Sequence, residues 1–330
     1  MLNFLVTRLF SDKAFFRSET LVIGSVEFRI QRNESKIERK ALIVSLEKHR
    51  ESPQLIQISP RISTIIQSTS EQMAIENANI IFEEVTDALD QDENFMSKYF
   101  VYKSGYIRNL RNGQVNPIFP TNNKIIESPI FYIRNFYFEE NNNIQKIFLS
   151  DKNTELFQRY LRSCHWHRKA KLEFSSQIRI MYRWFSMEAG WKSKEYEDIS
   201  NFILSSIGYP SININYNYHL MFKNNEEEVI YKAQKNRFKD VVEQLRIARN
   251  NFVHSGFREW DLPDNQIKIF DGLSMIACSR LLSILQNAVA KEFSNLDEVK
   301  EVFPILLEES INLKHAYESA RGYIFSEAYH

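Results

Sequence analysis

The sequence predicts an α+β protein, with a β-rich α+β domain over residues 1–150 and an all-α helical bundle over residues 151–330. In the first half, runs of β-branched and aromatic residues alternate with polar turn residues. In the second half, apolar residues recur at the spacing of three to four that is typical of helices. Gly and Pro number only 8 each in 330 residues, and this scarcity favours long helices.

The first half is expected to form a mostly antiparallel sheet with at least one helix. The predicted strands are 20–31, 41–46, 55–58, 99–107, 124–137 and 144–149, and the predicted helix is 71–89. The run 99–111 is rich in aromatic and basic residues and allows two interpretations. It is either a stacking and phosphate surface for single-stranded nucleic acid or a sheet face with core aromatics between solvated basic residues.

The second half predicts a succession of helices. They are a helix that starts at 150–151 and whose pattern resumes at Phe174 and stops at Gly190, then 196–207, 226–254, 266–293, and a further helical region broken by Pro304 before 306–325. An Asn- and Tyr-rich loop over 210–222 is unusually long for a bundle, which is typical of functional loops.

Charge and cysteine content restrict the class of function. Lys+Arg and Asp+Glu are both 42, so the net charge is zero and any nucleic-acid site must be a local patch. Cys164 and Cys278 are the two cysteines, and their helical surroundings favour a reduced, cytosolic protein. We expect neither a signal peptide nor a membrane-spanning segment.

One local patch of the required sign lies between Leu156 and Met187. This segment holds seven basic residues against a single acid, Glu173. The basic residues are Arg159, Arg162, Arg168, Lys169, Lys171, Arg179 and Arg183. They predict an RNA-phosphate surface, with an ordinary solvated helix face as the alternative. The nearby run Cys164-His165-Trp166-His167 lacks the spacing and the further ligands of a zinc site, so no metal site is expected.

The stretch 244–257 combines helical periodicity, a charge on an apolar face and a titratable histidine. The apolar face of its predicted helix consists of Phe238, Val241, Val242, Leu245, Ala248 and Phe252. At about 100° per residue, Arg249 lies inside or at the edge of this face, where its charge needs a partner because it is costly to desolvate. Asn250 and His254, four residues apart, share a different side with Arg246.

The pair Ser255-Gly256 predicts the end of this helix and places His254 in its last turn. An imidazole titrates near neutral pH, so His254 is a candidate general acid or base. The guanidinium fork of Arg249 suits a phosphate. Together they favour cleavage of an RNA phosphodiester by its own 2′-OH, with no metal or cofactor. The structural alternative is that Arg249 pairs with a carboxylate and His254 caps its own helix.

The segment Arg249-Asn250-Asn251-Phe252-Val253-His254 resembles the motif of HEPN-domain ribonucleases, and its continuation Ser255-Gly256 is similar to the ApeA-like HEPN family of antiphage proteins. Two other arginine–histidine pairs have a comparable spacing: Arg159 with His165, and Arg162 with His167. Tyr160 and Ser163 follow those arginines, where the family usually has Asn, Asp or His. In the family the motif ends one helix and precedes another long one, which 266–293 supplies here.

The resemblance implies that residues 151–330 form a HEPN-like ribonuclease domain with a helical C-terminal extension, preceded by a sensing or regulatory domain. Arg249, Asn250 and His254 would be catalytic. Glu188, an acid on an earlier helix, would orient Arg249 or His254, unless it forms a salt bridge elsewhere. Arg246 would add a phosphate contact, unless it is a solvated surface arginine.

The activity implied is metal-independent endoribonuclease cleavage in the cytoplasm, in antiphage defence by abortive infection or as a toxin. The partners implied are RNA, with tRNA a candidate, a second copy that completes the active site, and a phage-derived trigger or an inhibitory partner. The exposed position expected for Ile247, opposite the apolar face, agrees with a two-fold contact, with packing under the chain's own C-terminal extension as the alternative. The alternative function is a non-catalytic HEPN-type module that binds RNA, a nucleotide or a protein.

Overall fold

A computed structural model describes residues 1–10, 20–30, 33–89, 101–119, 142–191, 197–210, 225–255 and 263–308. The chain divides into two compact units, Met1–Leu149 and Ser150–His330. The first contains an antiparallel six-stranded sheet with helices and the second is helical, so the predicted α+β fold class is confirmed.

The N-terminal unit is built on a sheet of strand order β2-β3-β4-β1-β5-β6 in which all neighbours are antiparallel. The strands are β1 (Leu2–Phe10), β2 (Thr20–Ile23), β3 (Val26–Arg29), β4 (Arg61–Ser68), β5 (Val101–Asn109) and β6 (Val115–Pro117). Strand β1 pairs with both β4 and β5 and lies in the middle of the sheet. Its side chains Phe4, Val6, Leu9 and Phe10 are buried although they do not all point to the same face. This is expected for a central strand with both faces covered.

Helices cover both faces of this sheet. They are α1 (Lys36–His49), α2 (Leu55–Ile58), α3 (Glu71–Leu89) and α4 (Asn142–Leu149). Leu9 packs with Leu42 and Leu46 of α1, whereas the neighbouring Arg8 donates to the side chain of Asn79 on α3. Since successive side chains of a strand point to opposite faces, α1 and α3 lie on opposite sides of the sheet.

Three predicted strands of the first half are wrong, because residues 41–46, 55–58 and 144–149 lie in α1, α2 and α4. Short apolar runs do not distinguish strand from helix, and in α1 the decisive signal lies upstream. Ser35 and Glu38 form a reciprocal capping box that starts the helix. The helix 71–89 and the strand over 101–107 are confirmed. The predicted strand 20–31 is a hairpin of β2 and β3, and 124–137 lies outside the described residues.

The aromatic and basic run 99–111 contributes to the core where it is described. Tyr106 is buried, and burial is the main cause that raises the pKa of its hydroxyl to about 12. Tyr102 packs against the same cluster, and Arg108 pairs with Glu38 at 3.3 Å. These contacts favour the sheet-face interpretation over a nucleic-acid surface.

The C-terminal unit consists of six helices in its described part: α5 (Glu155–Leu172), α6 (Ser176–Trp191), α7 (Glu197–Ser206), α8 (Asn225–Ser255), α9 (Asp264–Ala290) and α10 (Leu296–Glu308). Helices α5 and α6 pack side by side, and α9 contacts α5, α6 and α7. Helix α8 contacts α7. The predicted helices 196–207, 226–254 and 266–293 correspond to α7, α8 and α9.

Two helix ends involve residues that normally stop helices. Helix α6 ends at Trp191, one residue after the predicted stop at Gly190, and a Cβ added to Gly190 would come within 3 Å of Leu281 and Leu285 of α9. The glycine therefore permits a close helix contact. Pro304 lies within α10 and does not break it, contrary to the prediction. The preceding residue Phe303 packs edge-on against Trp191 and at a tilt against Phe202, which anchors this part of the helix.

Helix α9 is the one helix among the described residues that is long and apolar enough to cross a membrane, contrary to the expectation of no such stretch. Half of its most apolar window is buried, and its buried residues include Leu273, Leu281 and Leu285. It packs against α5, α6 and α7 as the core helix of the C-terminal unit.

Candidate active site on helix α8

Helix α8 has one buried and one exposed side, as its periodicity predicts. Phe238, Val242 and Leu245 are buried, and Ala248 is nearly so. Ile247, on the opposite side, is 46% exposed, and His254 in the last turn is exposed as well. The helix ends at Ser255 in the described residues, so the candidate residues occupy its C-terminal turns, where the helix dipole favours cations.

Arg249 lies on the buried side, and its charge is balanced by Glu188 of α6. The guanidinium donates to a Glu188 carboxylate oxygen at 2.7 Å. The side chains of Arg249 and Glu188 are only 12% and 15% exposed. This ion pair links α8 to α6, and it is the contact expected if Glu188 orients Arg249. It is equally the carboxylate partner of the structural alternative.

Asn250 holds the other branch of the guanidinium. Its side-chain oxygen accepts a hydrogen bond from Nη1 of Arg249 at 3.1 Å, although the two residues are adjacent. Nε of Arg249 is buried and has no hydrogen-bond partner among the described residues. Because a guanidinium carries five N–H donors, Arg249 retains donors beyond those that Glu188 and Asn250 engage.

Within one chain, the side chains of His254 and Arg249 leave α8 in different directions. They are five residues apart, which places them about 140° apart around a regular helix. Accordingly, Arg249 faces α6 while His254 is exposed. Asn250, four residues before His254, is half-buried between the two directions. A single copy of the helix therefore does not direct Arg249 and His254 toward one point.

Arg246 lies on the exposed part of α8 and is paired. It binds Glu243, three residues earlier, through two hydrogen bonds of 2.6 and 2.8 Å. The same hydrogen bonds raise the pKa of Arg246 and lower that of Glu243. This pair makes Arg246 a surface arginine with a local partner, and a phosphate would have to compete with Glu243.

The seven basic residues of α5 and α6 are not brought together on one surface. Arg183 is buried and Arg179 is half-buried, and both bind Asp271 of α9, at 2.6 and 2.7 Å. They clamp α6 to α9, and their ion pairs with the single Asp271 carboxylate in the helix interface favour a structural role over a role in an RNA surface. Sequence reasoning missed Asp271, although an acid next to the buried Phe270 on an apolar helix was a signal.

The remaining basic residues lie on α5, with different degrees of exposure. Arg162 and Lys169 are exposed, whereas Arg168 and Lys171 are half-buried. Arg159 pairs with Glu155 at 2.6 Å and also reaches the carbonyl oxygen of Ala189 on α6. The positive surface that α5 can offer to a phosphate is therefore narrower than its sequence indicates, with Arg162 and Lys169 as its most exposed members.

A buried polar cluster of His167, Ser186 and Cys278 joins α5, α6 and α9. The Cys278 Sγ lies 3.3 Å from His167 Nδ1 and 3.2 Å from Ser186 Oγ. Burial above all, followed by the charges of Lys171 and Arg183, holds the pKa of His167 well below its usual range. The cluster is fully buried and connects helices, so His167 serves helix packing here. Among the described residues, no group of three His, Cys, Asp or Glu is placed to hold a metal ion.

Comparison with known proteins gives no family: no protein-family model, no curated protein and no solved structure matches the chain. The resemblance to HEPN ribonucleases thus remains a prediction from the motif residues on α8.

Proposed function

We propose that the C-terminal unit is a metal-independent endoribonuclease of HEPN type, acting in the cytoplasm in antiphage defence or as a toxin. The observation that carries the proposal is the pair Arg249–Glu188, in which an arginine on a buried helix face is held in place five residues before an exposed histidine. A scaffold helix has little reason to keep a charge at that position, since it must be desolvated and compensated.

In the proposed reaction, the ribose 2′-oxygen attacks the adjacent phosphorus and the bond to the 5′-oxygen breaks. His254 transfers the proton, either from the 2′-OH or to the leaving 5′-oxygen. The donors of Arg249 stabilise the dianionic phosphorane, and Asn250 and Glu188 hold the guanidinium in orientation. The products are a 2′,3′-cyclic phosphate on the upstream fragment and a 5′-hydroxyl on the downstream fragment.

The divergence of Arg249 and His254 supports a homodimeric active site. Two copies of α8 facing one another would bring the histidine of each copy towards the site of the other. Ile247 is 46% exposed and gives α8 an apolar residue on a second side for such a contact. Residues 309–330, the part of the C-terminal extension beyond α10, lie outside the described residues. RNA, with tRNA a candidate, is the proposed substrate, and a phage-derived trigger or an inhibitory partner would act through the N-terminal unit.

The test is RNA degradation by the purified full chain and its variants. Arg249→Ala and His254→Ala should each lower the rate by roughly 10²–10⁴-fold, because one removes charge stabilisation and the other proton transfer. Arg249→Lys should remain impaired, since an ammonium lacks the planar fork. Lys232→Ala, which removes an exposed cation from the same helix, is the matched control and should retain the parent rate.

The rival function is a non-catalytic HEPN-type module that binds RNA, a nucleotide or a protein. It is favoured by the fact that Arg249 is largely buried and already engaged by Glu188 and Asn250. The same assay separates the two functions. Folded parent protein that binds RNA without cutting it, or folded Arg249→Ala and His254→Ala variants that cut at the parent rate, would overturn the nuclease assignment.

A further inference from the structure

Three aromatic rings on α5 and α6 are left partly exposed. Trp166 of α5 contacts Tyr182 and Phe185 of α6, with ring centroids 5.7 and 5.2 Å apart. All three side chains are half-buried, and together they form what we name the aromatic strip. Other aromatic residues of the same helices are buried, namely Phe157, Tyr160, Trp184 and Trp191. The strip is thus a distinct surface of this helix pair.

The strip lies on the side of α6 that faces away from α9. Arg183 and Gly190 of α6 contact α9 through Asp271 and Leu281. At about 100° per residue, Phe185 lies roughly 160° around the helix from Arg183. The contacts that fix α6 in the core therefore leave the aromatic strip outward in the described part of the unit.

Positive charge flanks the strip on α5. Arg162 and Lys169 are exposed and lie one turn before and one turn after Trp166. Helix α5 contains no acid between Arg159 and Leu172. Aromatic rings for stacking between cations for phosphates are the combination by which proteins hold single-stranded nucleic acid. A protein partner matched to this surface would need acids, whereas RNA supplies both charge and flat rings.

The strip is close to the candidate active site along α6. Phe185 precedes Glu188 by one helical turn, about 4.5 Å along the axis, and Glu188 holds Arg249. Trp166 and Arg159 are seven residues apart on α5, about 10 Å, and Arg159 reaches Ala189, the residue after Glu188. A short run of nucleotides bound at Arg249 would therefore reach the rings without leaving α6.

We propose that the aromatic strip of Trp166, Tyr182 and Phe185, flanked by Arg162 and Lys169, binds an unpaired base of single-stranded RNA next to the cleavage site. The inference rests on the proposed ribonuclease function and adds a base-binding subsite on α5 and α6 to it. Trp166 supplies the stacking surface and the two cations contact the neighbouring phosphates.

Binding is measured with a short 2′-O-methylated single-stranded oligoribonucleotide, which lacks the 2′-OH required for cleavage, by fluorescence anisotropy on the full chain. Trp166→Ala should weaken binding about ten-fold or more, since stacking is lost. Trp166→Phe should restore most of the affinity, because a smaller ring still stacks. Phe174→Ala removes an exposed aromatic residue outside the strip and is the matched control, expected to bind as the parent does.

Lys169→Ala separates the phosphate contribution from stacking. It should weaken all oligonucleotides alike and lower the slope of log affinity against log salt by about one. Replacing single bases of the oligonucleotide by abasic residues tests stacking without altering the protein. The parent should lose about ten-fold at one position, and Trp166→Ala should lose nothing further there.

Parent-like binding by a folded Trp166→Ala variant, or an absence of any abasic effect on the parent, overturns the proposal. A change in the molar mass of Trp166→Ala in light scattering with unchanged RNA binding overturns it too, and assigns the strip to a contact between copies. The outcomes for the nuclease are separate. If binding depends on Trp166 but natural RNA is not cleaved, the strip is supported and the nuclease assignment is wrong. If Arg249→Ala abolishes cleavage but binding does not depend on Trp166, the nuclease assignment is supported and the strip proposal is wrong.

Discussion

The ion pair between Arg249 and Glu188 is the centre of the candidate site and also affects the stability of the C-terminal unit. Breaking this pair is therefore the most informative perturbation. Glu188→Ala should lower the free energy of unfolding by about 2 kcal/mol. Losing one partner of a fully buried pair costs about 3–5 kcal/mol, because the other charge stays buried. Here the side chains are 12% and 15% exposed and Asn250 still binds the guanidinium, so we expect a loss somewhat below that range.

The two residues should be strongly coupled. Arg249→Ala leaves the Glu188 carboxylate without its ion-pair partner, and Glu188→Ala does the same to the guanidinium. Each single variant should therefore lose about 2 kcal/mol of the free energy of unfolding. The double variant leaves no buried charge and should lose clearly less than the sum. We expect a coupling free energy of about 2 kcal/mol, well above the roughly 0.5 kcal/mol scatter of independent sites.

Tryptophan fluorescence reports on the relevant unit alone. All four tryptophans, Trp166, Trp184, Trp191 and Trp260, belong to the C-terminal unit, so urea unfolding followed by their emission isolates its transition. Glu155→Gln breaks the more exposed pair with Arg159 and is the control, expected to change stability by less than about 1 kcal/mol. Additive losses from Glu188→Ala and Arg249→Ala would show that the pair contributes nothing and would refute this reasoning.

Four further outcomes follow from the same geometry. RNA cleavage should persist in excess EDTA, and end-group analysis of the products should show a cyclic phosphate and a 5′-hydroxyl. A strict magnesium requirement or 5′-phosphate products would contradict the mechanism. The full chain should be a dimer in light scattering across a dilution series, and Ile247→Glu should yield an inactive monomer; a stable, fully active parent monomer would eliminate the composite site. Burial holds the pKa of His167 well below 6.5, so the unfolded chain binds a proton that the folded chain does not. As pH falls below about 6.5, the free energy of unfolding should fall by up to about 1.4 kcal/mol per pH unit, and a His167→Gln variant with the same slope would disprove it. Asp271→Ala removes the carboxylate that Arg179 and Arg183 share, and it should lower the free energy of unfolding in urea by about 3 kcal/mol or more. A loss below about 1 kcal/mol would show that the two arginines do not depend on Asp271.

Local patterns in the sequence determined the helices that carry the candidate site. The apolar positions of α8 recur every three or four residues over a long stretch, so periodicity alone predicts its span and its buried face. The same pattern places Arg249 on that face and His254 off it, because both follow from the angle per residue. The expectation that Arg249 needs a partner is likewise local, since it depends only on the cost of burying a charge.

Short elements were the least predictable part of the fold. Residues 41–46 carry apolar side chains that suit either a strand or a helix, and the Ser35–Glu38 capping box selects the helix. Strand β1 is central because β4 and β5 pair with it on both sides, which no local pattern reveals. Gly190 likewise has a role that depends on what α9 places against it.

Only the tertiary structure decided which charges meet. Glu188 and Arg249 are 61 residues apart, and Asp271 lies 92 and 88 residues from Arg179 and Arg183, so these partners are set by helix packing and not by spacing. That packing pairs Arg179 and Arg183 of the predicted basic surface with Asp271. It also leaves the rings of Trp166 and Phe185 partly exposed beside the candidate site. The sequence determines which residues of a helix share a face, and long-range packing determines what each face meets, because the hydrophobic effect that assembles helices is not directional.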